Sequence, residues 1–198
     1  MLAVEHLYAP PKVESASLRR IRLLSLPFEI AFAALAALAT ALLVAVVLVG
    51  LFYQGENFRL THGGPTLYLP GDAWPADTIR IADVPLSSRL IGFVVILCIQ
   101  APLIAAFVSL SRLFDAYRRG MVFAPGPVRW MQRAGFCLIA FALAPGVFQP
   151  VVQAAGLMDR NWFHGHTVAA LLIGGGLFVL ANVIALGREI QKESEGYI

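Results

Sequence analysis

Gln100, Gln149 and Gln153 carry hydrogen-bonding amides into otherwise apolar stretches of this 198-residue chain. Gln100 lies 11 residues beyond Arg89, about 16 Å along a helix, and Gln149 lies 10 residues before Asp159, about 15 Å on a returning one. The two amides are thus expected at a similar depth in antiparallel neighbours, with Gln153 one turn from Gln149 on the same face. Pro102, Pro145 and Pro150 stand nearby, where a missing N–H frees a carbonyl or kinks the helix. Two readings are open: a polar midplane pocket for a small ligand, or ordinary interhelical hydrogen bonds worth about 1 kcal/mol each.

Other reactive side chains point to no chemistry. His62, His164 and His166 fall in two connections with Asp72, Asp77, Asp83 and Asp159, but the spacing is poor for a metal. Histidine beside Trp162 and Phe163 is an ordinary interfacial pattern. Cys98 and Cys137 sit in apolar runs, as packing residues rather than a disulfide or zinc pair. No metalloprotease, hydrolase or phosphate-loop motif occurs. No Asp, Glu, Lys or Arg lies deep in an apolar run, which argues against an ion-driven transporter. No catalytic residue, metal or cofactor is expected.

The elements that must position the amides are membrane helices. The chain is 59% hydrophobic and only 14% charged, with a mean hydropathy of +0.75. Soluble domains carry about 25% charged residues. Four stretches are long enough to span about 30 Å of hydrocarbon: residues 30–53, 90–111, 134–157 and 167–187. Between them lie an outer loop (54–89), a cytoplasmic Arg-rich loop (112–133) and a short outer loop (158–166). A basic flank (1–29) and a tail (188–198) complete a single four-helix domain. Eleven Lys and Arg fall on the side of both termini and the middle loop, against four on the other. The positive-inside rule then places both termini in the cytoplasm of a multi-pass inner-membrane protein. The net charge of +3 is accounted for by this distribution, and no direct nucleic-acid contact is expected.

Ala33, Ala37, Ala41 and Ala45 form a ridge at i+4 spacing on the first span, suited to close packing within the chain or in a homo-oligomer. Gly174, Gly175 and Gly176 offer the same on the fourth. In the basic flank, Leu18, Ile21 and Leu24 recur among Arg19, Arg20 and Arg22, the pattern of a short helix on the cytoplasmic leaflet that Pro27 would interrupt. A plain basic flank is the alternative. In the outer loop, alternation over Phe58–Thr61 and Thr66–Leu69, separated by His62-Gly63-Gly64-Pro65, predicts a β-hairpin with a four-residue loop. Thr78–Ile81 supplies a third strand. Gly120 suits the left-handed position that closes the second helix, and Pro125 or Pro127 the first turn of the third. The fold class is therefore an all-α membrane protein with a small β-hairpin-like extracytoplasmic loop.

The segment Leu113-Phe114-Asp115-Ala116-Tyr117-Arg118-Arg119-Gly120-Met121-Val122-Phe123, followed by an apolar span, resembles the signature of a bacterial family of four-helix inner-membrane proteins of unknown function. The charged ending from Gly187-Arg188-Glu189 to Ile198 is similar too, and the likeness covers roughly residues 85–198. Ala124-Pro125-Gly126-Pro127 departs from it, replacing the side-chain cap such loops offer the third helix. Genes of that family often stand beside small XRE-type helix-turn-helix regulators, so the resemblance implies a membrane regulator or sensor with a cytoplasmic partner of that kind. The candidate partner surface is Arg118, Arg119, Gly120, Phe123, Arg129 and Arg133, with Glu189 and Glu193 of the tail. The tail acids either dock onto the loop arginines or belong to a solvated helix extension. A small-molecule carrier or channel at the Gln100 and Gln149 level is the competing expectation.

Overall fold

The structure is a computed structural model that describes residues 16–61, 64–69, 71, 73, 78–121, 124–157 and 165–195; residues 16–18, 64–65, 165–166 and 191–195 are described for their backbone alone. Four helices dominate: α1 (Ala16–Phe52), α2 (Leu86–Arg118), α3 (Pro125–Ala154) and α4 (Gly165–Glu195). Each is long and apolar enough to cross a membrane. Leucine, valine and alanine propagate these helices, and lipid forces every backbone polar group to pair within the segment. Two buried serine hydroxyls obey the same demand. Ser25 donates to the carbonyl of Ile21 and Ser109 to that of Ala105, both at 2.7 Å.

The helices outrun the spans expected from hydropathy. The described part of the basic flank, residues 16–29, is the first part of α1, not a separate surface helix, and Pro27 lies within it without ending it. Pro27 is exposed, and its missing N–H leaves the carbonyl four residues earlier without that partner, which costs one bond without ending the helix. The 112–133 connection is mostly helical, reduced to residues 119–124 between α2 and α3. In place of ending at 157, α3 stops at Ala154, and α4 carries the tail on as helix to Glu195.

Two glycines terminate helices by one mechanism. Gly120 (φ +78°) follows α2, with Met121 N–H donating to the Ala116 carbonyl and Gly120 N–H to that of Tyr117. Gly156 (φ +68°) closes α3 likewise, through Leu157 to Val152 and Gly156 to Gln153. Both pairs are the bonds of a Schellman cap, which needs a left-handed residue. Pro125 opens α3 after Ala124, which supplies no side-chain cap, consistent with the departure noted at that loop.

Packing follows chain order: α1 lies on α2, α2 on α3 and α3 on α4, and among the described residues no other helix pair packs along its length. The result is an open row. Large apolar side chains point outward from it, Leu172 and Val147 among the most exposed, as a lipid-facing surface requires.

A three-stranded antiparallel sheet, in the order β2-β1-β3, lies between α1 and α2 in the chain: β1 (Phe58–Thr61), β2 (Gly64–Leu67) and β3 (Ile79–Arg80). The hairpin is the one expected, but β2 begins two residues early. Thr61 pairs with Gly64, leaving residues 62–63 as the loop. Pro65 is tolerated because β2 is an edge strand. The third strand is shorter than expected and gives way to a single 3-10 turn at Ile81–Asp83. Phe58 and Leu60 turn inward and join Ile81, Val84, Val95, Ile99, Val152 and Leu157 in one core, so the sheet is seated on the helix ends. Arg80 spans the outer face, 2.8 Å from Asp83 and 3.6 Å from Glu56.

Candidate functional site

A polar constellation lies at the opposite end, where α1 begins, α2 ends and α3 begins. Its foundation is aromatic. Phe114 of α2 stacks on Phe28 and Phe32 of α1 at centroid distances of 5.2 and 5.7 Å, and Phe32 reaches Phe107 at 6.3 Å. Tyr117 meets the edge of Phe114 at 6.1 Å. This ladder fixes the register of α1 against α2, because stacked rings tolerate little sliding.

The ladder brings charge into contact. Arg118 donates to the Glu29 carboxylate at 2.6 Å and to Asp115 at 3.1 Å, while Arg119 holds the other oxygen of Asp115 at 2.9 Å. Ser111 donates to the Glu29 carbonyl at 3.3 Å. The Arg22 guanidinium lies over Gly120, so close that a Cβ there would stand 3.0 Å from one of its nitrogens. Glu29 and Asp115 are the more covered members, each about one fifth exposed. The clasp therefore joins the first helix to the signature segment.

The expected partner surface divides accordingly. Arg118 and Arg119 are committed to Glu29 and Asp115, and Gly120 to the helix cap. Phe123 lies outside the described residues, as does the side chain of Glu193. Arg129 and Arg133 are exposed on the first turns of α3, Arg133 resting 5.7 Å from the Trp130 ring. Arg19, Arg20 and Arg112 are exposed as well. Glu189 is exposed on α4 and forms no ion pair with the loop arginines among the described residues.

Gln100 and Gln149 are half-buried, Gln153 is exposed, and no hydrogen bond joins any of the three. A polar bond between helices forms elsewhere: Gln132 of α3 donates to Asn182 of α4 at 3.2 Å, and Asn182 donates to the Phe178 carbonyl at 2.9 Å. Asn182 stands inside the fourth apolar run, which was the available signal, though the run itself does not indicate a partner.

The small residues separate too. Gly174 packs against Gly135, where an added Cβ on either would lie 2.8 or 2.7 Å from the other's carbonyl oxygen. Gly175 and Gly176 face open space. Ala33, Ala37, Ala41 and Ala45 are all exposed; α1 instead turns Ala36 inward, and Gly50 receives the Phe93 ring. Ala37, Ala41 and Ala45 border an open groove of about 690 Å³ shared with Ile104 and Val108 of α2, almost wholly apolar in lining. His62 and His164 lie outside the described residues, and of His166 only the backbone is described. Among the described residues no three His, Cys, Asp or Glu side chains gather as a metal site would need.

Comparison with known proteins agrees with the signature. No curated protein and no solved structure matches the chain. A family profile described as a protein of unknown function matches residues 72–198, nearly two thirds of the length, taking in the signature, α2, α3 and α4 and leaving out α1 with Phe28, Glu29 and Phe32. The chain thus belongs to the DUF2975 family of proteins of unknown function.

Proposed function

We propose that this protein is a non-enzymatic regulatory or sensory component of a bacterial inner membrane, with both termini in the cytoplasm. It acts on a cytoplasmic partner, for which a small helix-turn-helix regulator is the candidate. The observation that carries this reading is the division of the arginines at one end of the helix row. Arg118 and Arg119 are used to build the clasp, whereas Arg19, Arg20, Arg112, Arg129 and Arg133 stay exposed around it. Exposed guanidinium groups on a rigid base suit an acidic protein face, which they would attract and orient. The eleven-to-four distribution of basic residues supports the cytoplasmic placement of this end.

Extraction in mild detergent with an affinity tag, followed by identification of the proteins retained, tests the reading. A small DNA-binding protein should co-purify, and the triple variant Arg112→Glu, Arg129→Glu, Arg133→Glu should lose it while keeping its folded yield. Recovery of no cytoplasmic protein, together with unchanged transcription on deletion, would overturn the proposal. The carrier reading gains no comparable support, since no hydrogen bond joins Gln100 to Gln149 and the described groove is apolar.

A further inference from the structure

Arg89 stands apart from every other described arginine. Its Nε and Nη1 have no accessible surface and no hydrogen-bond partner. A guanidinium carries five donors and stays charged, so covering two of them without an acceptor is costly. The residue occupies the second turn of α2, one turn toward the sheet from Gly92 and Phe93, and lies on their face. Gly92 abuts Leu157 after α3, and Phe93 abuts Gly50 of α1. Arg89 is therefore set where the sheet end of α1, α2 and α3 comes together. Asp83, six residues before it, and Glu56 beside the sheet are both taken by Arg80.

Its depth is equally specific. Arg89 immediately precedes the apolar stretch 90–111, and Leu86, Leu90 and Ile91 around it are 40–56% exposed on the outside of the row. That places the guanidinium at the boundary between hydrocarbon and headgroups, where phosphate oxygens are concentrated. The residue as a whole is half-buried, so atoms other than Nε and Nη1 meet the surface.

We infer that Arg89 is the cationic half of an oxyanion site at the sheet end of the helix row, whose ligand is a phosphate group. The planar fork pairs with two phosphate oxygens at once; because Nε and Nη1 are covered, such binding requires the side chain to swing outward. A phospholipid headgroup and free phosphate share this chemistry. The site is independent of the regulatory reading, because it lies at the other end of the molecule.

The test uses the full chain, delipidated in an uncharged, phosphate-free detergent, with thermal unfolding followed by tryptophan fluorescence. Phosphatidylglycerol, monoolein (a lipid without phosphate) and inorganic phosphate are titrated separately. Phosphatidylglycerol or inorganic phosphate should raise Tm beyond monoolein or chloride, and the compound that does so identifies the source. Arg89→Gln should weaken that binding about tenfold or more, as loss of charged hydrogen bonds does. Arg188→Gln, at the far end, should leave it intact. Arg89→Lys, which keeps the charge without the fork, should bind with intermediate strength even if the glutamine variant does not fold. Absence of a phosphate-dependent gain in the wild-type chain, or an equal gain in Arg89→Gln, overturns the inference.

Discussion

Individual glycines have sharply different roles in this molecule. Gly135 and Gly174 allow α3 and α4 to touch backbone to backbone, whereas Gly175 and Gly176, next in sequence, touch nothing. Gly135→Val should therefore cost about 1–3 kcal/mol through overpacking. Gly175→Ala should be neutral or stabilising by up to about 1 kcal/mol, because alanine is the better helix former. Unfolding of the purified variants in detergent measures both. Gly120 differs again, since its need is conformational. With φ at +78° and Arg22 overhead, Gly120→Ala should lose about 1–2 kcal/mol in the same assay.

Between elements, the union of α1 with α2 combines a stacked ladder and a charged clasp, and magnitudes decide which dominates. The Arg118 side chain is 42% exposed, so its pair with Glu29 is screened by solvent. A double-mutant cycle with Glu29→Gln and Arg118→Gln should give only a small coupling, falling as salt is added. Phe114→Ala removes contacts with Phe28, Phe32 and Tyr117 together. At about 0.5–1.5 kcal/mol per aromatic pair beyond area burial, it should destabilise more than either charge variant, with little dependence on salt. The signature segment is then largely architectural: Leu113 and Ala116 are buried, Phe114 stacks, Asp115 anchors two arginines, and Gly120 ends the helix. Its partners Phe28, Glu29 and Phe32 lie outside the family match, so α1 supplies the complementary half.

For the molecule as a whole, the row of helices and its orientation lead to two measurements. Spin labels at Leu38 of α1 and Leu180 of α4 should report a separation well above one interhelical spacing of about 8–10 Å, since these two helices do not pack together. A closed bundle would bring them to nearly that spacing and would contradict the row. Orientation is tested with single cysteines in a chain lacking Cys98 and Cys137. Thr66→Cys on the sheet should react with an impermeant maleimide in intact cells, and Arg129→Cys only after permeabilisation. The reverse result would place the arginine-rich end outside and remove the basis for a cytoplasmic partner.

Much of this was legible in the sequence, because the properties concerned depend on near neighbours. Hydropathy runs mark helices wherever lipid forbids any other backbone solution, so all four spans were readable. Gly120 and Pro125 announced the short turn between α2 and α3, and alternation about Phe58–Thr61 announced the sheet. Helix limits were less legible, because charged and proline-containing turns continue a helix once its neighbours hold it, as Phe28 and Glu29 do beyond Pro27. Which residues meet was decided by tertiary structure alone. Periodicity puts the Ala33–Ala45 ridge on one face of α1, but the contact face is set by where Phe28, Phe32 and Gly50 find Phe114 and Phe93. Likewise, equal depth on two helices does not select hydrogen-bond partners: Gln100 and Gln149 form no bond with each other, while Gln132 and Asn182 do. Depth is a property of one helix and follows from counting residues. Azimuth is a relation between two helices, settled only when their side chains interlock.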